Sequence, residues 1–92
     1  MGVLLFSLGD ELEVSPTLTV FVSSIVFWED GGLVYETMVL TADYFKVLYE
    51  FRATDEVTST THHNFVVNAI KRWDTEAHPI LADYIKKQIV KG

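Results

Sequence analysis

Two apolar segments joined by the turn Glu29-Asp30-Gly31-Gly32 constrain this chain more than any other feature. The segments are rich in valine, isoleucine, phenylalanine and threonine, which favour a pleated, half-buried strand. Asp-Gly between two such segments is a strong hairpin signal, because a tight turn that matches the strand twist needs positive φ angles. The sequence therefore predicts a β-hairpin over residues 17–41.

A two-residue turn at Asp30-Gly31 would determine which side chains face each other across the hairpin. The pairs on one face would be Trp28–Leu33, Val26–Tyr35, Ser24–Thr37 and Val22–Val39. The pairs on the other face would be Phe27–Val34, Ile25–Glu36, Ser23–Met38 and Phe21–Leu40. A turn centred on Gly31-Gly32 would shift the pairs by two residues and keep the same faces, because strand side chains alternate with a period of two.

Both faces of the predicted hairpin are more apolar than burial on one side requires. An antiparallel sheet with one wet face normally alternates apolar and polar residues. Here only five polar residues interrupt the pattern: Thr19, Ser23, Ser24, Glu36 and Thr37. Either the chain covers both faces within one small domain, or a second copy or a partner covers one of them.

Two to three helices, drawn from three candidate segments, are predicted to follow the hairpin and pack on its antiparallel sheet. Thr41 is a suitable N-cap for a helix over 42–52, where apolar residues recur at three- and four-residue spacing. A polar loop over 54–61 leads to a second helix over 61–73. A third helix over 76–90 has Pro79 in its first turn, where a missing N–H costs little.

The start of the chain adds a third strand. Residues 3–8 are apolar and predict a strand, which residues 11–14 continue or pair with briefly before Pro16. Strands followed by helices predict a single α+β domain over residues 1–92, in the order β-β-β-α-α-α. A chain of 92 residues can bury one hydrophobic core.

Composition and charge argue against several functions. The chain has no cysteine, so disulfides and thiolate chemistry are absent. Its net charge is −6, with ten acidic and two basic residues in 1–60 and three acidic and five basic residues in 61–92. Nucleic-acid affinity depends on clustered lysine and arginine, so we expect no nucleic acid as partner. An acidic chain suits a basic protein partner.

Membrane and targeting signals are not expected either. The longest uncharged stretch, 14–28, is too short to span a bilayer as a helix. The apolar run at the start is short and has no basic residue before it, unlike a signal peptide. We therefore expect a cytoplasmic protein with no membrane partner.

No residues have the spacing of a familiar catalytic or metal site. His62 and His63 would point about 100° apart on a helix, so they cannot easily bind one ion together, even with His78. Ser23 and Ser24 lack the glycines of a nucleophile elbow. We expect histidines that face water, no metal, no cofactor and no enzymatic activity.

The aromatic residues beside the turn are the best candidates for a binding patch, because tryptophan and tyrosine dominate interface energetics. The same residues could instead be core under a helix. The candidate partner-binding patch comprises the residues around the turn: Trp28, Tyr35, Val26, Leu33, Asp30 and Glu29.

Three functional hypotheses follow. The first is a small acidic protein-binding module that occupies a partner's surface, as an inhibitor, an immunity or antitoxin-like protein or a mobile-element regulator does, and that forms a homodimer. The second is a small-ligand-binding domain with a pocket between sheet and helices, lined by Phe21, Met38, Tyr44 and Trp73. The third is an enzyme subunit whose site forms at a dimer interface around the three histidines.

Overall fold

The computed structural model describes residues 7–43, 46–73 and 79–91, which form a four-stranded antiparallel sheet and two helices. The strands are β1 (Ser7–Ser15), β2 (Leu18–Glu29), β3 (Gly32–Thr41) and β4 (Val47–Ala53). The helices are α1 (Glu56–Trp73) and α2 (Leu81–Lys91). Each strand pairs with the next one along the chain, in the order β1-β2-β3-β4. The predicted α+β class is confirmed.

The central hairpin has the register that the Asp30-Gly31 turn predicts. Asp30 and Gly31 both have positive φ, 52° and 78°, as the central residues of a type I′ turn require. The Cα partners run from Glu29–Gly32 through Trp28–Leu33 to Val20–Thr41 without a bulge. The predicted pairs and faces are therefore confirmed, and the turn centred on Gly31-Gly32 is excluded.

The helices pack on one face of the sheet, which we call the inner face. Its central strands contribute Val20, Val22 and Val39 to a core cluster completed by apolar residues of both helices. The helical members of that cluster are Val66, Val67, Ile70, Leu81 and Ile85. Burial alternates residue by residue along β2, so the side chains on the opposite, outer face are only partly buried.

The predicted helix over 42–52 is wrong, because residues 47–53 form the edge strand β4. From Tyr49 onwards the side chains also alternate with a period of two: Tyr49 and Phe51 lie on the inner face, and Glu50 and Arg52 on the outer face. Thr41 does not cap a helix. Its N–H donates to the Lys46 carbonyl at 2.9 Å and its hydroxyl accepts from Lys46 N–H at 3.1 Å, which closes the β3–β4 turn.

The predicted loop over 54–61 is also wrong, because most of it belongs to α1. Asp55 caps this helix: its Oδ1 accepts from Thr58 N–H at 2.7 Å and its Oδ2 accepts from the Thr58 hydroxyl at 2.8 Å. These hydrogen bonds, from the backbone first, lower the pKa of Asp55 and favour the ionised cap. The helix ends at Trp73, as predicted for the helix over 61–73, but begins at Glu56.

The remaining predictions are met in part. The helix predicted over 76–90 is α2, which begins at Leu81 after Pro79; residues 76–78 of the predicted range lie outside the described residues. The strand predicted over 3–8 is described only from Ser7, where β1 begins. Neither described helix is both long and apolar enough to cross a membrane. The element order becomes β-β-β-β-α-α, because the predicted first helix is a strand.

Candidate functional site

The outer face of the sheet is apolar along its central strands. Its apolar side chains are Phe21, Ile25 and Phe27 on β2 and Val34, Met38 and Leu40 on β3. All six are partly exposed, whereas the inner-face residues between them, such as Val22 and Val39, are fully buried. Both helices lie on the inner face, so no described helix covers this apolar stripe.

Glutamates lie around and within the apolar stripe. The outer-face positions of the described strands carry five glutamates, at 11, 13, 29, 36 and 50, and one basic residue, Arg52. Arg52 Nη1 donates to Glu29 Oε2 at 2.7 Å, and its Nε donates to Glu36 Oε2 at 3.1 Å. The hydrogen bond to Glu36 and the charge of Glu29 raise the pKa of Arg52, which stays charged. The outer face therefore has a formal charge of −4, and its one cation is already paired.

The patch predicted around the turn is present only in part on the inner face. Trp28 is 52% exposed and Leu33 is 37% exposed, so the helices do not cover this end of the sheet. Tyr35 is partly exposed. Val26, by contrast, is 1% exposed, so it is buried in the core and cannot contact a partner directly.

The two acidic residues of that patch do not share its surface. Glu29 points to the outer face, where it binds Arg52. Asp30 is exposed in the turn itself. Three side chains, Trp28, Leu33 and Tyr35, thus remain together, and their binding to a partner stays a prediction.

A hydrogen-bonded chain crosses the buried interface between α1 and the sheet. His63 Nε2 lies 2.7 Å from Asp10 Oδ2, and its Nδ1 lies 2.7 Å from Ser24 Oγ. Ser24 Oγ in turn lies 2.6 Å from Thr37 Oγ1. A carboxylate can only accept, so in the neutral imidazole Nε2–H donates to Asp10, Nδ1 accepts from Ser24, and Ser24 accepts from Thr37.

The hydrogen-bonded chain of Asp10, His63 and Ser24 has the residue types and distances of a nucleophilic triad, but its serine is inaccessible. Ser24 is 0% exposed and His63 is 1% exposed, so no substrate atom can reach Ser24 Oγ in this conformation. The arrangement instead joins β1, β2 and β3 to α1. The expectation that His63 faces water is wrong: only Asp10, with half of its side chain exposed, connects the chain to solvent.

His62 lines a separate cleft between β4, α1 and α2, with a volume of about 380 Å³. The lining is largely apolar and comprises Phe51, Val57, Thr58, Thr61, His62, Phe65 and Ile89. The His62 ring stacks on Phe51, with centroids 3.7 Å apart and planes 17° apart. His62 is therefore held flat against the edge strand. The expectation that it faces water freely is wrong.

Tyr49 determines which nitrogen of His62 carries the proton. Its hydroxyl lies 2.7 Å from His62 Nε2. Burial raises the pKa of Tyr49 to about 12 and lowers the pKa of His62, so the phenol stays protonated and the imidazole is neutral at pH 7. The more acidic phenol O–H donates to Nε2, which leaves the proton of His62 on Nδ1.

The pocket predicted from sequence has a different location. Phe21 and Met38 lie on the outer face, whereas Trp73 packs against the core on the inner side, so these residues cannot line one cavity. Tyr44 and His78 lie outside the described residues. Among the described residues, no three histidine or acidic side chains are grouped in a way that could hold a metal ion.

One signal for the buried chain is present in the sequence. Ser24 and Thr37 are paired across the hairpin on its otherwise most apolar face, where a buried polar pair needs a further hydrogen-bonding partner. The identity of that partner, His63, depends on how α1 docks.

Comparison of the chain with protein-family models, curated proteins and solved structures found no match in any of the three.

Proposed function

We propose that this chain is a small acidic protein-binding module that acts by occupying a partner's surface, in the manner of an inhibitor, an immunity or antitoxin-like protein or a mobile-element regulator. The observation that carries the proposal is the outer face, an apolar stripe on β2 and β3 that no described helix covers. Exposed apolar surface of this extent is typical of an interaction site.

The chemistry of the outer face favours a basic protein partner. Four glutamates lie around the stripe and a fifth, Glu36, lies within it opposite Ile25; Arg52 is bound to Glu29 and Glu36. A partner with an apolar centre and lysine or arginine around it would match this pattern and would be steered towards it by the net charge of −6. Affinity of this kind falls as ionic strength rises.

The size of the face is adequate for a specific complex. Ten paired residues of β2 and β3 extend about 33 Å, and four strands span about 19 Å, which gives a projected area of roughly 600 Å². Standard complexes bury about 800 Å² per partner. A partner would therefore have to cover the glutamates around the stripe as well as the stripe itself to reach that size.

A second copy of the chain is a less favourable occupant of the same face. Two copies would bring two outer faces together, each with a formal charge of −4. The homodimer predicted from sequence would then be strengthened by salt, which screens this repulsion, whereas binding of a basic partner would be weakened. Light scattering at micromolar concentration, in low and high salt, distinguishes the two.

The substitution Ile25→Lys tests the proposal. Ile25 lies at the centre of the outer stripe opposite Glu36, so a lysine there can pair with Glu36 in the free protein and leave the sheet intact. Against a basic, apolar partner it would be repelled and desolvated, and we expect at least a tenfold loss of affinity. The partner is first captured from a lysate of the source cells at low salt and then produced pure for titration calorimetry.

Leu33→Lys is the matched control, because Leu33 is a partly exposed residue of the same hairpin on the inner face. Binding that survives Leu33→Lys and fails with Ile25→Lys supports the outer face. The reverse result would place the site at Trp28, Leu33 and Tyr35 and contradict the proposal. If both variants bind the partner as tightly as the native chain does, neither surface is the binding site.

A further inference from the structure

We infer that the cleft between β4, α1 and α2 is a binding site for a small, neutral, aromatic molecule that carries one hydrogen-bond acceptor. This site is separate from the outer face and does not depend on the proposed function. It rests on the volume and lining of the cleft, the donor of His62 and the charge beside it.

The cleft has the volume and the lining of a site for a small apolar ligand. Its volume of about 380 Å³ lies at the small end of the range, roughly 300–1,000 Å³, in which small-molecule sites fall. Phe51 and Phe65 are among its lining residues, and His62 stacks on Phe51. Val57, also in the lining, is 75% exposed and leaves apolar surface for a ligand to cover.

His62 supplies the polar contact. Its Nε2 is occupied by the Tyr49 hydroxyl at 2.7 Å, which places the ring proton on Nδ1. No described residue accepts a hydrogen bond from this N–H. A ligand carbonyl, ether or ring nitrogen would satisfy it, and the Phe51 stack holds the donor in place before the ligand arrives.

The charge beside the cleft favours a neutral ligand. Asp55 accepts hydrogen bonds from Thr58, a lining residue, and these bonds lower its pKa and keep it ionised. A carboxylate ligand would therefore be repelled. A cation would be opposed by the donor of His62, because an N–H cannot bind a second donor. A neutral acceptor is the group that fits both neighbours.

The test uses acetophenone, a neutral aromatic molecule with one carbonyl acceptor, titrated into the ¹⁵N-labelled full chain and followed by amide chemical shifts. We expect saturable shifts at Val57, Thr61 and Phe65 with a dissociation constant of about 1 mM. Toluene, which lacks the acceptor, and benzoate, which is charged, should each bind about fivefold more weakly. Long-range ¹H–¹⁵N spectra of the histidine rings should place the proton of His62 on Nδ1.

His62→Phe separates stacking from hydrogen bonding, because phenylalanine keeps a flat ring against Phe51 and removes the donor. In this variant acetophenone should bind about fivefold more weakly than to the native chain, and toluene equally well. Trp28→Phe, an aromatic substitution at the exposed turn end of the inner face, should change neither affinity.

Several results would overturn the inference. The inference is wrong if acetophenone shifts no amide at the cleft, if it binds the native and His62→Phe chains alike, or if it binds no better than benzoate. If His62→Phe does not fold, the comparison of the three probes and the tautomer measurement still decide in the native protein. Ile25→Lys should leave acetophenone binding intact, so failure of the proposed partner site and failure of the cleft are distinguishable.

Discussion

The substitution Ser24→Ala probes the buried chain that joins α1 to the sheet. It removes the hydroxyl that lies 2.7 Å from His63 Nδ1 and 2.6 Å from Thr37 Oγ1. Both remaining groups belong to residues no more than 1% exposed, so water cannot easily replace the lost partner. Each buried polar group left without a partner costs about 1–3 kcal/mol. We therefore expect the free energy of unfolding to fall by about 3 kcal/mol.

A loss of that size is large for a chain of 92 residues. It corresponds to a decrease in Tm of about 10–25 °C. The measurement is chemical denaturation followed by far-UV circular dichroism, with thermal unfolding as a second readout. Ser23→Ala is the matched control, because Ser23 is the preceding residue of β2, faces the outer side and is partly exposed. Its effect should stay within about 0.5 kcal/mol.

A double-mutant cycle separates the stranded imidazole from the other consequences of Ser24→Ala. In a His63→Leu background no imidazole nitrogen remains to be stranded, so Ser24→Ala should cost at least 1 kcal/mol less than in the native chain. If Ser24→Ala proves no more damaging than Ser23→Ala, or if the two substitutions are additive, the buried chain does not exist as described.

Three further predictions concern the turn, the two faces and His62. Gly31→Ala should lower stability by about 1 kcal/mol in urea denaturation because φ is positive there, whereas Gly9→Ala, in open space, should not. Val39→Ala should cost about 2–3 kcal/mol and Val34→Ala less than about 1 kcal/mol; equal costs would mean that the outer face is covered. Burial lowers the pKa of His62, so as pH falls below 6.5 the unfolded state takes up this proton before the folded state does, and stability that is present above pH 6.5 is lost. Thermal melts between about pH 7.5 and 5 should therefore show a Tm that depends less on pH in His62→Phe than in the native chain.

The hairpin could be predicted in register because its signals are local. Asp30 and Gly31 determine the turn, and alternation then fixes which side chains share a face over ten pairs. The stripe on α1, in which Val66, Ala69 and Ile70 are buried, was predictable for the same reason, since helical spacing is visible in the sequence.

The errors arise where tertiary contacts decide. Residues 47–53 contain apolar spacing that suits a helix as well as a strand, and the free edge of β3 selects the strand by offering backbone partners. The sequence does not indicate the start of α1, because Thr58, Thr60 and Thr61 have low helix propensity, which the Asp55 cap offsets. The role of His63 depends on the docking of α1 across three strands, which no local pattern records.

The strand order of the sheet has a consequence for how the molecule assembles. Since every strand pairs with the strand before it in the sequence, the sheet can form outward from the hairpin at Asp30-Gly31. Adding β1 and β4 to this hairpin requires no long crossover connection. Such nearest-neighbour growth keeps the entropy of loop closure small at each step. Helix α1 places the His63 imidazole between Ser24 of β2 and Asp10 of β1, so this buried hydrogen-bonded chain is complete only where those two strands are paired in the native register.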